Sequence, residues 1–253
     1  MTYIFWYLVV TFGFSFGVHG LFVLLRLPFE HPLAKTLYVV GMLGPLLGAV
    51  SVSAWRYGGW GVYDLLVGGL NWRFGIQWYL LAAGLMPVFY FGGLGLYRLF
   101  GGEFSGPLFK VSAWGFLGIL ALQIYTQIAE EYGWRGFLQP LMDQYLGGLA
   151  AALVVGIVWA AWHLPMFWVP GSNQTGSFWD FAFWLICWSV MMSAMRHQTG
   201  GSTIPAMIFH MSLNACYFAI RVPPGAKPYV LALEVAGALA ATPFLPRPIF
   251  YFF

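Results

Sequence analysis

Two adjacent glutamates, Glu130 and Glu131, close an apolar run, with Arg135 four positions beyond the second. Another apolar run ends at His163, and a third contains His210 and, four residues later, Asn214. Carboxylate, imidazole and amide are the groups that hydrolysis of a peptide bond by activated water requires. A carboxylate accepts the proton of the attacking water, and an imidazole orients that water or donates to the leaving amine. N–H donors stabilise the oxygen that becomes negative. On this pattern Glu130 is the expected base, His163 its helper, and His210 with Asn214 the expected oxyanion donors. A metal-assisted version stays open, because Glu130, His163 and His210 are all acceptable zinc ligands.

Helical spacing separates the two glutamates. Glu131 and Arg135, four apart, share a face and are expected to form an ion pair. Glu130 is rotated by ~100° from Glu131 and has no cation at helical spacing. Thr126 and Gln127 lie one turn before it, so a polar stripe runs along one side of the segment. Charge at membrane depth is costly and faces a bundle interior or enclosed water, where it serves function. Glu131 and Arg135 are accordingly read as supporting residues.

The elements that must hold these groups are membrane spans. The chain has 253 residues, 60% hydrophobic and only 8% charged, against about 25% charged in an ordinary soluble domain. Too little charge is present to build a wetted surface, so lipid must cover most of it. Cutting at charges and Pro/Gly clusters leaves eight stretches of roughly 20 residues, the length that crosses a bilayer as helix: near 3–25, 36–55, 76–98, 112–131, 148–168, 179–195, 203–220 and 229–245. Long uninterrupted runs exclude the short alternating strands of a membrane barrel. The expected fold is an all-α integral membrane bundle of about eight transmembrane helices, one domain over residues 1–253, with the three groups of candidate residues falling within 120–220.

The first apolar run is too long for a signal-peptide core and lacks a basic flank, so it is expected to stay as a span. Trp55, Tyr57, Trp78, Tyr79, Trp168 and Trp179 fall near run ends, as an interfacial belt would. Gly13, Gly17 and Gly20, then Gly41, Gly44 and Gly48, place small residues where helices can approach closely. Cys187 and Cys216 have no metal-type spacing and read as small core residues. The charge of +3 is scattered, which gives no footing for nucleic acid. Arg196 and Arg247 are read as anchors of run ends. Alternate loops carry six and five of the Lys and Arg residues, too even a division to orient the chain.

Other chemistries fit less well. No Gly-x-Ser-x-Gly occurs, and Ser172 has no helical base partner. Asp64, Asp143 and Asp180 sit at loops or run ends, away from an intramembrane aspartyl pair. No His-Glu-x-x-His is present. A proton-coupled transporter would also carry intramembrane Glu and His, but such folds commonly show two related halves, and none is visible. A non-catalytic immunity or scaffold protein would leave three intact motifs unexplained.

Glu130-Glu131-x-x-x-Arg135, an aromatic residue (Trp159) four before His163, and His210-x-x-x-Asn214, in this order on three apolar segments, resemble the CPBP family. Its members are the type II CaaX prenyl endopeptidases and the bacteriocin-processing or immunity proteins, also called the Abi family. Gly44-Pro45, Leu65-Leu66, Asn71-Trp72-Arg73 and Trp78-Tyr79 are similar to bacterial members, less specifically. The family often has Phe where this chain has Trp159. The resemblance implies a bundle of eight helices with the site in a membrane-enclosed cavity open to water, Glu130 as base, His163 as its partner, and His210 with Asn214 as oxyanion hole. It implies a membrane-associated peptide or protein substrate, cut after a prenylated cysteine in the prenyl endopeptidases. A zinc cofactor is contested for the family.

Overall fold

A computed structural model describes residues 1–246 apart from Asn173 and Thr175, and apart from the side chains of Phe22 and Val23. Arg247 lies outside the described residues. Ten α-helices are present among them: α1 (Thr2–Leu25), α2 (Pro32–Gly41), α3 (Gly44–Tyr63), α4 (Ile76–Leu99), α5 (Ala113–Glu131), α6 (Gln139–Leu146), α7 (Gly148–Trp162), α8 (Phe178–Gln198), α9 (Ile204–Ala219) and α10 (Lys227–Ala241). Strand pairing among the described residues amounts to a single bridge, Phe109 with Ile220. The fold is all-α, as the composition requires.

The chain is a multi-pass integral membrane protein. Among the described residues, five helical stretches are long and apolar enough to cross a bilayer: Thr2–Leu21, Pro32–Gly68, Ile76–Leu99, Gly148–Trp168 and Phe178–Gln198. α9 is a shorter apolar helix. α5 and α10 complete the eight expected segments, and α5 is diluted by the polar stripe that makes it chemically interesting. The expected second segment, 36–55, is two helices rather than one. The break falls before Gly44-Pro45, because Pro45 cannot donate a helical hydrogen bond and opens α3 in the first turn instead.

Glycine use also divides. Along α1, Thr11, Ser15 and His19 recur every fourth residue and form one buried face. Gly48, Gly44 and Gly41 meet that face so closely that added Cβ atoms would lie 2.3 Å from Thr11 Oγ1, 2.0 Å from Ser15 Oγ and 2.1 Å from His19 Nε2. Ser15 Oγ donates to the Gly41 carbonyl at 2.8 Å. Gly13, Gly17 and Gly20 have open space where a side chain would be, so close approach on α1 is made by its hydroxyl face rather than by its glycines.

The helices that carry the chemistry pack pairwise, α5 on α9 and α7 on α8. Ser112 caps α5, its hydroxyl accepting from Gly115 N–H at 3.2 Å. The start of α5 is tied to the end of α9 by Lys110 N–H on Ala219 O and Arg221 N–H on Leu108 O, each 2.8 Å. Lys110 Nζ adds a 2.6 Å bond to Tyr217 O. These bonds fix the antiparallel register of α5 and α9, which sets Glu131 opposite His210.

Candidate active site

The polar stripe of α5 faces inward: Gln123, Thr126, Gln127, Glu130 and Glu131 are all buried. Directly after Glu131 the backbone widens into a π-helical turn, Tyr132–Leu138, before α6. Such turns are rare and favour functional positions. Here Gly133 allows it to lie against α3, since a Cβ at that residue would come within 2.4 Å of Pro45 Cβ. The widened turn still delivers Arg135 back over Glu131.

Glu131 is held by two side chains. Arg135 Nη1 lies 3.1 Å from both of its carboxylate oxygens, and His210 Nδ1 lies 2.8 Å from Oε1. Glu131 and Arg135 are fully buried, so each supplies the counter-charge that the other needs. The expected Glu131–Arg135 pair is present. The His210 contact was not anticipated, since helical spacing speaks only of neighbours within one helix.

Glu130, buried to 2% exposure, takes a different partner. Its Oε2 accepts from the Trp159 indole N–H at 2.7 Å. The partner is neutral, and the second oxygen stays available. Trp159 touches the rest of the centre as well: its ring meets that of His210 edge-on at 4.9 Å, and the Arg135 guanidinium lies over it at 4.6 Å from the ring centre.

His163 sits where α7 ends. Leu164-Pro165 stops the helix, and the last turn tightens so that His163 N–H donates to Ala160 O at 3.0 Å. The Trp159 carbonyl, which the fourth residue on would ordinarily use, is left for the imidazole, and His163 Nδ1 lies 2.9 Å from it. A carbonyl only accepts, so the proton is on Nδ1 and the Nε2 lone pair points away from the backbone. His210 is held in the same manner by Glu131, again leaving Nε2 outward. Trp162 and Phe181 pack edge-on against His163 at 4.8 and 5.1 Å.

Glu130, Glu131, Arg135, His163 and His210 are thus gathered about one indole. Asn214 is placed differently. Its amide donates to Gln123 Oε1 at 2.8 Å, which also accepts from Gln127. One amide N–H is therefore committed, and it is directed two turns along α5 from Glu131. Trp159 and Gln123 are not singled out by the sequence as working groups; the signal for Trp159 is a Trp four before His163, whose N–H usually finds an acceptor when buried. Glu234 was also passed over. It is buried on α10, a helix packed on α4 and α8.

Among the described residues no three His, Cys, Asp or Glu side chains gather at the spacing of a metal-binding group. The trio expected for zinc, Glu130, His163 and His210, is not drawn together in that way, and no step below passes through a metal. A cavity of about 670 Å³ lies between α4, α5 and α9. It opens on other faces of α5 and α9, lined by apolar groups, while indole and phenyl rings fill the space beside the imidazoles.

Membrane-spanning helices, a buried acid pair of which one carboxylate is ion-paired and the other bonded to a neutral indole, and two imidazoles with anchored Nδ1 are the parts that an intramembrane hydrolytic centre would use. Residues 112–216 match the family model described as Type II CAAX prenyl endopeptidase Rce1-like. Over 231 residues the chain is 26% identical to CAAX prenyl protease 2 of Methanococcus maripaludis, covering 85% of this chain and 79% of that protein. Together with the motifs on α5, α7 and α9, these matches support the resemblance to the CPBP family.

Proposed function

We propose that the chain is an intramembrane endopeptidase that removes a C-terminal peptide from a membrane-associated, prenylated protein, with Glu130 as the base that activates water. One observation carries this: of two adjacent buried glutamates, only Glu130 lacks a cationic partner among the described residues, and its single bond is to a neutral donor. Its free oxygen accepts a proton from water. The neutral His163 Nε2 orients the same water by accepting its second hydrogen. The oxygen attacks the scissile carbonyl, whose own oxygen becomes negative; as this tetrahedral species collapses back to a carbonyl, the C–N bond breaks and the proton held by Glu130 passes to the leaving amine.

Charge balance assigns the donor side. Glu130, Glu131 and Arg135 sum to one negative charge in a low-dielectric setting, which is costly if left uncompensated. An imidazolium at His210 brings the sum to zero and places an N–H on Nε2 for the oxyanion. The second amide N–H of Asn214 is the other donor. The groove of about 670 Å³, lined by Phe91, Phe116, Leu120, Ile208, Met211 and Cys216, favours a lipidated substrate, because it lies on the helices that carry Glu130 and His210 and is almost wholly apolar.

The test is turnover by detergent-purified protein of a fluorogenic prenylated CaaX peptide and of its non-prenylated twin, with and without chelator. Cleavage of the prenylated peptide, at least about 10-fold slower cleavage of the plain one, and indifference to chelator are expected. Equal cleavage of both would remove the lipid requirement. Loss in chelator that zinc restores would replace water activation by Glu130 alone with a metal mechanism, and no cleavage of either peptide would overturn the proposal.

A further inference from the structure

The geometry points to Trp159 as the positioning residue of the centre: its indole N–H aims the Glu130 carboxylate, and its carbonyl fixes the tautomer of His163. The inference rests on Glu130 being the base. Trp159 is 1% exposed, and its side chain is constrained on several sides. Arg135 covers the face at 4.6 Å, and His210 packs edge-on at 4.9 Å. A ring so confined holds its N–H in one direction. That N–H meets Glu130 Oε2 at 2.7 Å, a length typical of a bond to a charged acceptor.

Fixing one oxygen fixes the plane of the carboxylate, and so the direction in which the other oxygen meets water. The same residue's carbonyl lies 2.9 Å from His163 Nδ1. Base and helper, on α5 and α7, are therefore referenced to one residue, and the distance between them does not depend on a flexible loop. Such orientation of reacting groups is worth large rate factors. Trp159 itself exchanges no proton with substrate. Phe at this position would keep most of the packing and the backbone carbonyl while removing only the donor.

Two replacements separate donor from shape. Trp159→Phe removes the N–H and part of the bicycle. Incorporation of 3-benzothienylalanine at position 159 keeps the bicycle and removes only the N–H. Both are expected to lower kcat on the prenylated peptide about 10- to 100-fold, the factor that goes with one hydrogen bond to a charged group, with KM within about twofold. Wild-type kcat in the benzothienyl protein would overturn the inference, since packing alone would then be what matters.

A second measurement needs no substrate. Thermal midpoints in detergent are compared for Trp159→Phe, Glu130→Ala and the double variant. Non-additive shifts are expected, because either single change already breaks the bond; additive shifts would overturn the inference. If the wild type cleaves neither peptide, the proposed function fails, and this cycle alone decides whether Trp159 holds Glu130.

Discussion

Glu130 and Glu131 stand one residue apart on α5, yet a rotation of ~100° about the helix sends them into unlike surroundings. Glu131 lies between Arg135 at 3.1 Å and His210 at 2.8 Å; its charge is spent on holding two other side chains in place. Glu130 meets an indole N–H at 2.7 Å and keeps one oxygen free. A carboxylate closed by a guanidinium and an imidazole cannot take a proton from water without losing those bonds, whereas one oriented by a single indole N–H can. The difference teaches that a buried acid pair need not be a dyad sharing one task. On the proposed mechanism, one member builds the site and the other works in it.

The sharpest way to break that contrast is to neutralise the builder. Glu131→Gln leaves the Arg135 guanidinium buried without its anion, at a cost of about 3–5 kcal/mol, and frees His210. A fall in thermal midpoint of several degrees in detergent is expected, with turnover lost alongside. An unchanged midpoint would mean that Arg135 is supported elsewhere.

Gly133→Ala acts on the same side less directly. Its Cβ would fall 2.4 Å from Pro45 Cβ, pushing the π-helical turn away from α3 and Arg135 away from Glu131. A destabilisation of about 1–3 kcal/mol, as for overpacking elsewhere, is expected in the same thermal assay. A smaller shift than in Glu131→Gln would keep the order of the two effects.

Gln123→Ala is the mildest change. It releases the Asn214 amide at a cost of about 1 kcal/mol, the worth of one neutral hydrogen bond, and should change kcat by less than about tenfold while leaving Glu130 alone. A larger loss would place Gln123 nearer the chemistry than its position on α5 suggests.

Much of this is legible in the sequence. An apolar composition with long runs fixes helices in lipid, and the inward stripe from Gln123 to Glu131 follows from the cost of facing lipid with polar groups. The Glu131–Arg135 pair follows from helical spacing. Contacts between helices were not legible, because spacing within one segment carries no register across two. His210 reaching Glu131, Asn214 meeting Gln123 and Trp159 meeting Glu130 are all of this kind. The split of 36–55 into α2 and α3 could have been read from Gly44-Pro45, whose missing donor ends a continuous helix. The glycines of α1 mislead for the opposite reason: small residues permit close packing but do not compel it, and the partner glycines lie on α2 and α3.

The division of labour is tested most directly by Glu130→Gln, measured for thermal midpoint and for kcat on the prenylated peptide in one preparation. Gln keeps the shape and can still accept from the Trp159 indole, so the midpoint should stay near that of the wild type. Turnover should fall by about 10²- to 10⁴-fold, the range for removal of a general base. A variant that keeps its midpoint and still cleaves at the wild-type rate would contradict Glu130 as the base.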